Sequence, residues 1–378
     1  MSQPIPKHII KNNTIKQKTY NTLLIDGNNL LEISYNGDKR VNQDGEHIGG
    51  IFQFFIKIKQ VISKYDFRFV YVFWDGNKSG QLRYDIYPQY KANRGKVYDS
   101  KSEYYRKIDE YCRKIYQNNK KSEKDEEEFK KERDFLMLAL EELFIRQVID
   151  EETEGDDLIS YYVLNKEENE RIVIMSGDRD LTQLISDDVI IYSPIDKEFI
   201  NIKNCDKFTG CRYDNVLVKK IICGDSSDNI KGIKGVGEER LIKYFPFINE
   251  RKICVNDIVE HAKKINDERI RLKKKPLKWV ENIINKTTDG IQGENIYEIN
   301  EKIIDLKNPL LTDDALNNMN EIMHAPLDPE GRSIENLYKM FLGKKIEEFL
   351  DSDKFSNFFM DFKILIDKEI KFFNKKKL

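Results

Sequence analysis

Nine acidic residues are the part of this sequence most able to do chemistry. They form five small groups, and each of the first four groups follows an apolar run or begins a predicted helix. Carboxylates a few ångströms apart cannot all stay ionised unless positive charge lies between them. Their oxygen atoms favour a hard divalent cation, above all Mg²⁺. The candidate metal ligands are Asp26, Asp75, Glu154, Asp156, Asp157, Asp178, Asp180, Asp225 and Asp228.

The composition excludes several other classes of protein. The 378 residues are 39% hydrophobic and 34% charged, which is enough for a real core and more than one structural unit. The net charge of −2 means that a nucleic-acid surface would have to be local. Five cysteines without a CxxC pair and four histidines argue against a disulfide framework and a zinc site. The chain has no 18-residue apolar run and no apolar core in residues 1–20, so we expect a cytoplasmic protein without a membrane span.

A parallel α/β sheet is predicted to position the acidic residues. Residues 49–64 have the apolar spacing of an amphipathic helix, and strands that alternate with helices favour a parallel sheet. In such sheets, sites form outside the carboxyl ends of the strands, where Asp26, Asp75 and Asp178 lie. The predicted strands are 21–26, 67–74, 171–175 and 188–192.

A long helical excursion, about 95–148, separates the second and third predicted strands. Within it, residues 117–134 hold 13 charged residues out of 18. This pattern fits a solvated helical hairpin or a mobile arch through which a polyanion passes. After residue 205 the pattern becomes helical, and segment 263–278 carries eight Lys or Arg residues against two acids.

Each acidic motif also has a structural interpretation. Thr153 and Asp156 fit a capping box, although this leaves Glu154 and Asp157 unexplained, and those two share a helix face that can point at one ion. Segment 176–181 (SGDRDL) also fits an ordinary turn with a helix cap. An Asp-x-Asp motif after a strand also occurs in phosphatases of the haloacid dehalogenase type, but there the first Asp ends the strand directly. Here two residues separate the strand from Asp178, which argues against that interpretation. Segment 224–229 (GDSSDN) fits a polar turn with Asx hydrogen bonds.

Two further motifs carry basic residues and glycines. Lys91 and Arg94 follow Tyr90 and are close enough to approach one phosphate, or they are simply surface cations. Segment 230–237 (IKGIKGVG) precedes a helix, and its exposed backbone N–H groups suit a DNA phosphate, bound directly or through a monovalent cation such as K⁺. The alternative is a plain helix connector. The candidate DNA-binding residues here are Lys231, Gly232, Lys234, Gly235 and Gly237.

Taken together, these motifs resemble the flap endonuclease/5′-nuclease family, and most of all its bacteriophage branch of the T-even ribonuclease H type. The likeness covers residues 21–245, is weak over 246–378 and is absent over 1–20. It implies a PIN-like α/β domain, a helical arch and a helix–three-turn–helix element. The motifs that carry it are LLIDGNN, FWDG, YKANRG, EGDD, SGDRDL, GDSSDN and GIKGVG.

The resemblance also implies roles for the candidate residues. One metal cluster would hold Asp26, Asp75, Glu154 and Asp156, with Asp157 close by, and a second would hold Asp178, Asp180, Asp225 and Asp228. Lys91 and Arg94 would be catalytic cations at the base of the arch, with Tyr90 near the scissile nucleotide. Two Mg²⁺ ions, with Mn²⁺ as a substitute, would serve hydrolysis at the 5′ end of branched or nicked duplex DNA and of RNA–DNA hybrids, in primer removal.

Domain limits and partners complete the expectations. An extension (1–20) precedes a PIN-like domain (21–205), a helix–three-turn–helix region (206–300) and a C-terminal helical region (301–378), in a monomer. Residues 355–359 (FSNFF) resemble a sliding-clamp peptide, but an ordinary amphipathic helix face explains them better; a clamp or a single-strand-binding protein is a candidate partner. The competing functions are a non-catalytic DNA-binding protein on this fold and a PIN-type ribonuclease for single-stranded RNA.

Overall fold

A six-stranded sheet forms the centre of the computed structural model, which describes residues 20–92, 123–288 and 296–377. The strand order is β3-β2-β1-β4-β5-β6, and only β6 runs antiparallel to its neighbour. This confirms the predicted α/β class with a parallel sheet. The strands are β1 (Thr22–Asp26), β2 (Phe69–Asp75), β3 (Arg146–Asp150), β4 (Ile172–Met175), β5 (Val189–Ser193) and β6 (Glu198–Ile200).

Helices cover both faces of the sheet and form most of the chain after residue 205. A short antiparallel pair, β7 (Gly224–Asp225) and β8 (Ile230–Lys231), interrupts that helical region. The α-helices among the described residues are α1 (Gly27–Gly37), α2 (Gly49–Ile62), α3 (Gln81–Ile86), α4 (Glu123–Glu142), α5 (Gly155–Leu164), α6 (Cys205–Thr209), α7 (Val216–Cys223), α8 (Glu238–Tyr244), α9 (Val255–Arg271), α10 (Lys278–Ile284), α11 (Ile296–Ile304), α12 (Asp313–Ile322), α13 (Ile334–Gly343), α14 (Ser352–Phe358) and α15 (Met360–Lys377).

Each central strand contributes side chains to two hydrophobic cores. In β1, Leu23 and Ile25 face a core shared with α1, α2 and α4, whereas Leu24 faces a core shared with α5 and the helices that follow residue 205. Strands buried on both faces are apolar at every position, which is why the sequence showed continuous runs rather than alternation.

The C-terminal helices pack back onto the first of these cores. Phe341, Phe359 and Phe362 surround Phe55 of α2, with ring centroids 5.5–6.0 Å apart. Burial of such aromatic contacts is a large stabilising contribution. The region predicted as 301–378 therefore shares a core with the sheet.

The segment that resembles a sliding-clamp peptide lies within this core. Phe355 and Phe359 are 3% and 0% exposed, and their ring centroids lie 4.6 Å apart. A clamp-binding peptide must present its aromatic side chains to a partner, and these two are already covered. The interpretation as an amphipathic helix face is therefore the better one.

Strand β3 is the main element that differs from the sequence prediction. It lies at the end of the segment predicted as helical (95–148), and the helix there, α4, ends at Glu142. Its five residues (RQVID) sit at the edge of the sheet, where Ile149 is 39% exposed. An edge strand this short has no long apolar run to reveal it. The part of the predicted excursion from 95 to 122 lies outside the described residues.

No helix in the described part of the chain is long and apolar enough to span a membrane.

Candidate active site

Two neighbouring strands place the first acidic residues at one edge of the sheet. Asp26 ends β1 and Asp75 ends β2, and the two strands are paired in parallel. The Asp26 carboxylate accepts hydrogen bonds from Asn29 N (3.1 Å) and Ser176 Oγ (2.8 Å). Asp75 Oδ1 accepts a hydrogen bond from Gly155 N at 2.8 Å, which ties the end of β2 to the start of α5.

Carboxylates from several elements lie close enough together to raise the pKa of their neighbours. Burial, and then the charge of Asp75, raise the pKa of Asp26 to about 7. Burial also raises the pKa of Asp156 well above its usual value, and the carboxylates that add to the effect are Asp178, Asp26, Asp75 and Glu154. The structure therefore brings the predicted first group together and adds Asp178 to it.

The alternative interpretation of residues 153–157 as a capping box is wrong. The N-cap of α5 is Glu154, whose side chain makes no capping hydrogen bond. The Thr153 hydroxyl instead accepts a hydrogen bond from Thr312 N at 3.2 Å. Glu154 is thus left to face the acidic site.

Glu154 contacts Tyr90, which the resemblance places near the scissile nucleotide, and Lys91, which it makes a catalytic cation. Tyr90 Oη donates to Glu154 Oε2 at 2.8 Å and lies 3.2 Å from its alternative acceptor, Asp228 Oδ2. Lys91 Nζ forms an ion pair with Glu154 Oε1. Although burial opposes ionisation, Lys91 and Arg83 lower the pKa of Glu154 to about 2. Arg94 lies outside the described residues.

Arg83 is a site residue that the sequence analysis missed. Its guanidinium grips both oxygens of Asp157, one at 3.0 Å, and lies 2.8 Å from Glu154 Oε2. Its Nε donates to the carbonyl of Ile303 at 2.8 Å, so it also ties the site to α11. An arginine within the FWDG-to-YKANRG segment was the available signal.

Asp157 makes contacts that the sequence analysis did not predict. It is fully buried, and Oδ1 also accepts a hydrogen bond from Leu310 N at 3.1 Å. The prediction that Glu154 and Asp157 point at one cation is right in its geometry, but that cation is the guanidinium of Arg83. Because its oxygens are already used, we assign Asp157 to positioning Arg83 rather than to metal binding.

The second predicted group is organised around another residue that was missed, Lys220. Its Nζ lies 2.6 Å from Asp225 Oδ2 and also pairs with Asp180. Burial and Asp178 raise the pKa of Asp180 to about 6. Although burial opposes it, Lys220 lowers the pKa of Asp225 to about 2. These side chains line a cleft of about 600 Å³ that extends to Gly237 and Glu238 of the glycine segment.

Asp225 and Asp228 behave differently from each other. Asp225 Oδ1 accepts hydrogen bonds from Ser227 N (2.8 Å) and Ser227 Oγ (2.6 Å), so the predicted Asx turn is present. Asp228 lies beside Tyr90, and its carbonyl accepts a hydrogen bond from Lys91 N at 2.9 Å. Asp228 thus contacts the Tyr90–Lys91 side of the site, whereas Asp225 faces Lys220.

Two of the three candidate glycines in the hairpin have a structural reason to be glycine. A Cβ on Gly232 would lie 2.1 Å from the carbonyl carbon of Cys223, so this position needs glycine for packing. Gly235 has a φ of +81°, which favours glycine in the turn. Gly237 faces open space, and Lys231 and Lys234 are exposed.

The donor set fits a hard divalent cation in its chemistry, since it consists of carboxylate oxygens. Within residues 20–92, 123–288 and 296–377, however, no three His, Cys, Asp or Glu side chains meet in a ready coordination sphere. The reason lies in the contacts above: the cationic groups of Lys91, Arg83 and Lys220 hold carboxylate oxygens. An ion would have to replace Lys91 and Lys220 at those oxygens.

Residues 21–210 match the family model of the 5′-3′ exonuclease N-terminal resolvase-like domain. The chain is also similar to a 5′-3′ exonuclease of Halalkalibacterium halodurans, with 26% identity over 82% of this chain and 97% of that protein.

Two solved structures share the fold over nearly the whole chain. One is the 5′-exonuclease of T5 with bound zinc (TM-score 0.52, 18% identity, 92% of this chain and 99% of that one). The other is the bacteriophage T5 flap endonuclease in a complex with DNA and metal ions (TM-score 0.52, 18% identity, 93% and 99%). Identity this low shows the fold alone.

Proposed function

This chain belongs to the 5′-3′ exonuclease family, and we propose that it is a Mg²⁺-dependent, structure-specific 5′ nuclease that hydrolyses phosphodiesters by a two-metal mechanism. The observation that carries the proposal is the convergence on Asp156 of acidic side chains from the ends of β1 and β2, the turn after β4 and the N-cap of α5, with Lys91 and Tyr90 beside them. A structural ion-pair network does not need so many carboxylates in mutual repulsion.

The residues proposed to hold the ions form two sets. Asp26, Asp75, Glu154 and Asp156 would bind one ion. Asp178, Asp180, Asp225 and Asp228 would bind the second, with Asp228 reaching it from the Tyr90 side. Mn²⁺ would substitute for Mg²⁺. The chemistry that such ions supply when bound is Lewis-acid activation of water and of the phosphodiester.

The chain's own residues orient and neutralise the substrate. Although burial opposes its charge, Glu154 raises the pKa of Lys91 well above the usual value, so Lys91 is cationic while this ion pair is formed. Once released from Glu154, its ammonium can neutralise charge that develops on the phosphate. Arg94, three residues on, would grip two phosphate oxygens. The Tyr90 hydroxyl holds Glu154 in place.

Duplex DNA would approach across the glycine hairpin. Gly237 lines the cleft, and Lys231 and Lys234 of the same hairpin are exposed. Backbone N–H groups with nearby cations bind phosphates, directly or through K⁺. The T5 flap endonuclease, whose structure contains DNA and metal ions, supports DNA as the substrate. Removal of RNA from RNA–DNA hybrids, and with it primer removal in replication, follows from the T-even resemblance and stays a prediction.

The direct test is cleavage of 5′-labelled flap, nicked-duplex and RNA–DNA hybrid substrates with Mg²⁺ or with EDTA. We expect products that depend on Mg²⁺ and on a duplex junction. Binding without any Mg²⁺-dependent product would favour the non-catalytic DNA-binding alternative. Preference for single-stranded RNA would favour the PIN-type ribonuclease.

Replacing Lys91 by alanine should lower kcat by about 10²–10³-fold, because one charge contact to the reacting phosphate is worth about 2–4 kcal/mol. KM should change little, since duplex binding lies elsewhere. Single-turnover cleavage of a flap substrate measures this. The exposed Lys78→Ala is the matched control, and equal losses in both variants would remove Lys91 from the reaction.

Location and partners remain proposals. We expect a monomer in the cytoplasm, which size-exclusion chromatography and fractionation would check. Association with a single-strand-binding protein or a clamp would require a surface other than the buried Phe355 and Phe359.

A further inference from the structure

Next to the glycine hairpin, an arginine and two aromatic side chains form one continuous surface. A Cβ at Gly235 would lie 3.5 Å from the Cβ of Trp279, so the indole starts directly at the turn. Arg240 donates a hydrogen bond to the Gly235 carbonyl, and its guanidinium lies over the Trp279 ring, 5.5 Å from the centroid. Tyr244 packs against the same indole, with ring centroids 4.9 Å apart.

A loop just before Trp279 in the sequence carries three lysines. Residues 272–277 join α9 to α10, which begins one residue before Trp279. The loop is folded back onto α9: Lys274 N donates to the Arg269 carbonyl at 2.8 Å, and Arg269 Nε donates to the Lys275 carbonyl at 2.9 Å. Lys273, Lys274 and Lys275 are all exposed.

The positive charge of the loop is not neutralised by neighbouring acids. Among the described residues, Lys273, Lys274 and Lys275 have no carboxylate within ion-pair distance. The whole segment 263–278 holds only Asp267 and Glu268 against eight basic residues. Closely spaced ammonium groups repel each other, so an arrangement held this rigidly suits a polyanion.

We propose that this surface is a second contact for the backbone of duplex DNA. The duplex would contact the hairpin first and this surface further along its length. The inference rests on the proposed nuclease function. Lys274 is five residues from Trp279, so their Cα atoms are at most about 17 Å apart. That distance corresponds to about five base pairs of B-form duplex. The surface, here called the basic platform, consists of Arg240, Lys273, Lys274, Lys275, Lys278 and Trp279.

The proposal makes binding depend on duplex length and on salt. The variant K273Q/K274Q/K275Q removes three charges from an exposed loop. For a flap substrate with a duplex arm of about 25 base pairs, the slope of log K against log salt should fall by about 2–3 units, at about 0.9 per phosphate contact. At about 0.1 M salt we expect affinity to fall about tenfold or more. With a single-stranded substrate of the same sequence, which has no duplex arm, the variant should match the wild type. KM should rise with kcat unchanged.

A matched control separates local contact from a change in net charge. K363Q/K371Q/K375Q removes three exposed lysines from α15 and should leave both the slope and KM unaltered. Restoring charge with K273R/K274R/K275R should recover binding, and a thermal melt checks that each variant folds. An unaltered slope, or equal loss in the control, overturns the basic platform. If the wild type cleaves no flap at all, the proposed function fails instead.

Discussion

Replacing Asp156 by asparagine should abolish cleavage and at the same time stabilise the metal-free protein. Cleavage should fall by at least about 10³-fold, because a carboxylate that binds a catalytic ion supports several kcal/mol of transition-state stabilisation. Stability should rise because the neutral amide removes repulsion from Asp178, Asp26, Asp75 and Glu154. Flap cleavage with Mg²⁺ and thermal unfolding in EDTA measure the two effects.

The stability gain expected for Asp156→Asn depends on pH. The folded-state pKa of Asp156 lies above its unfolded value, so the folded protein binds more protons and its stability falls as pH rises above about 4. Asp156→Asn removes that dependence. The gain over wild type in EDTA should therefore be large at pH 8 and shrink towards pH 4. The exposed Asp206→Asn should change neither quantity, and a destabilised Asp156→Asn variant would contradict the convergence of carboxylates.

Replacing Arg83 by alanine should destabilise the protein by about 3–5 kcal/mol, the usual effect of removing one partner of a buried ion pair. The side chain is 5% exposed and serves Asp157, Glu154 and the carbonyl of Ile303 together. Cleavage should also fall, because Glu154 would lose the guanidinium that contacts its Oε2. Urea unfolding and single-turnover cleavage measure both effects.

Partner substitutions identify the cause of that loss. Asp157→Ala should be nearly as destabilising, and the double variant should lose far less than the sum, because the two residues act as a unit. Arg83→Lys keeps the charge but not the bidentate grip, so we expect only partial recovery. The exposed Arg68→Ala serves as control. Additive losses for Arg83 and Asp157 would mean that their contact is not energetically important.

Local sequence pattern was sufficient to predict the central strands of the sheet and the positions of several acidic residues. Continuous apolar runs mark strands buried on both faces, and parallel strands place their carboxyl ends at one edge, so Asp26, Asp75 and Asp178 were predictable from position alone. The edge strand β3 could not be predicted in this way. It has only five residues, one of them an exposed isoleucine, and these do not form a clear apolar run or alternation.

What the sequence determined by itself is the set of carboxylates, the strands that carry them, and the family to which their order belongs. Only the tertiary structure decided which charges meet. It paired Asp157 with Arg83, placed Lys220 between Asp180 and Asp225, and set Asp228 beside Tyr90. Periodicity reports how a residue faces its own strand or helix. The partner of a buried charge depends on how elements far apart in sequence pack, and no local spacing encodes that.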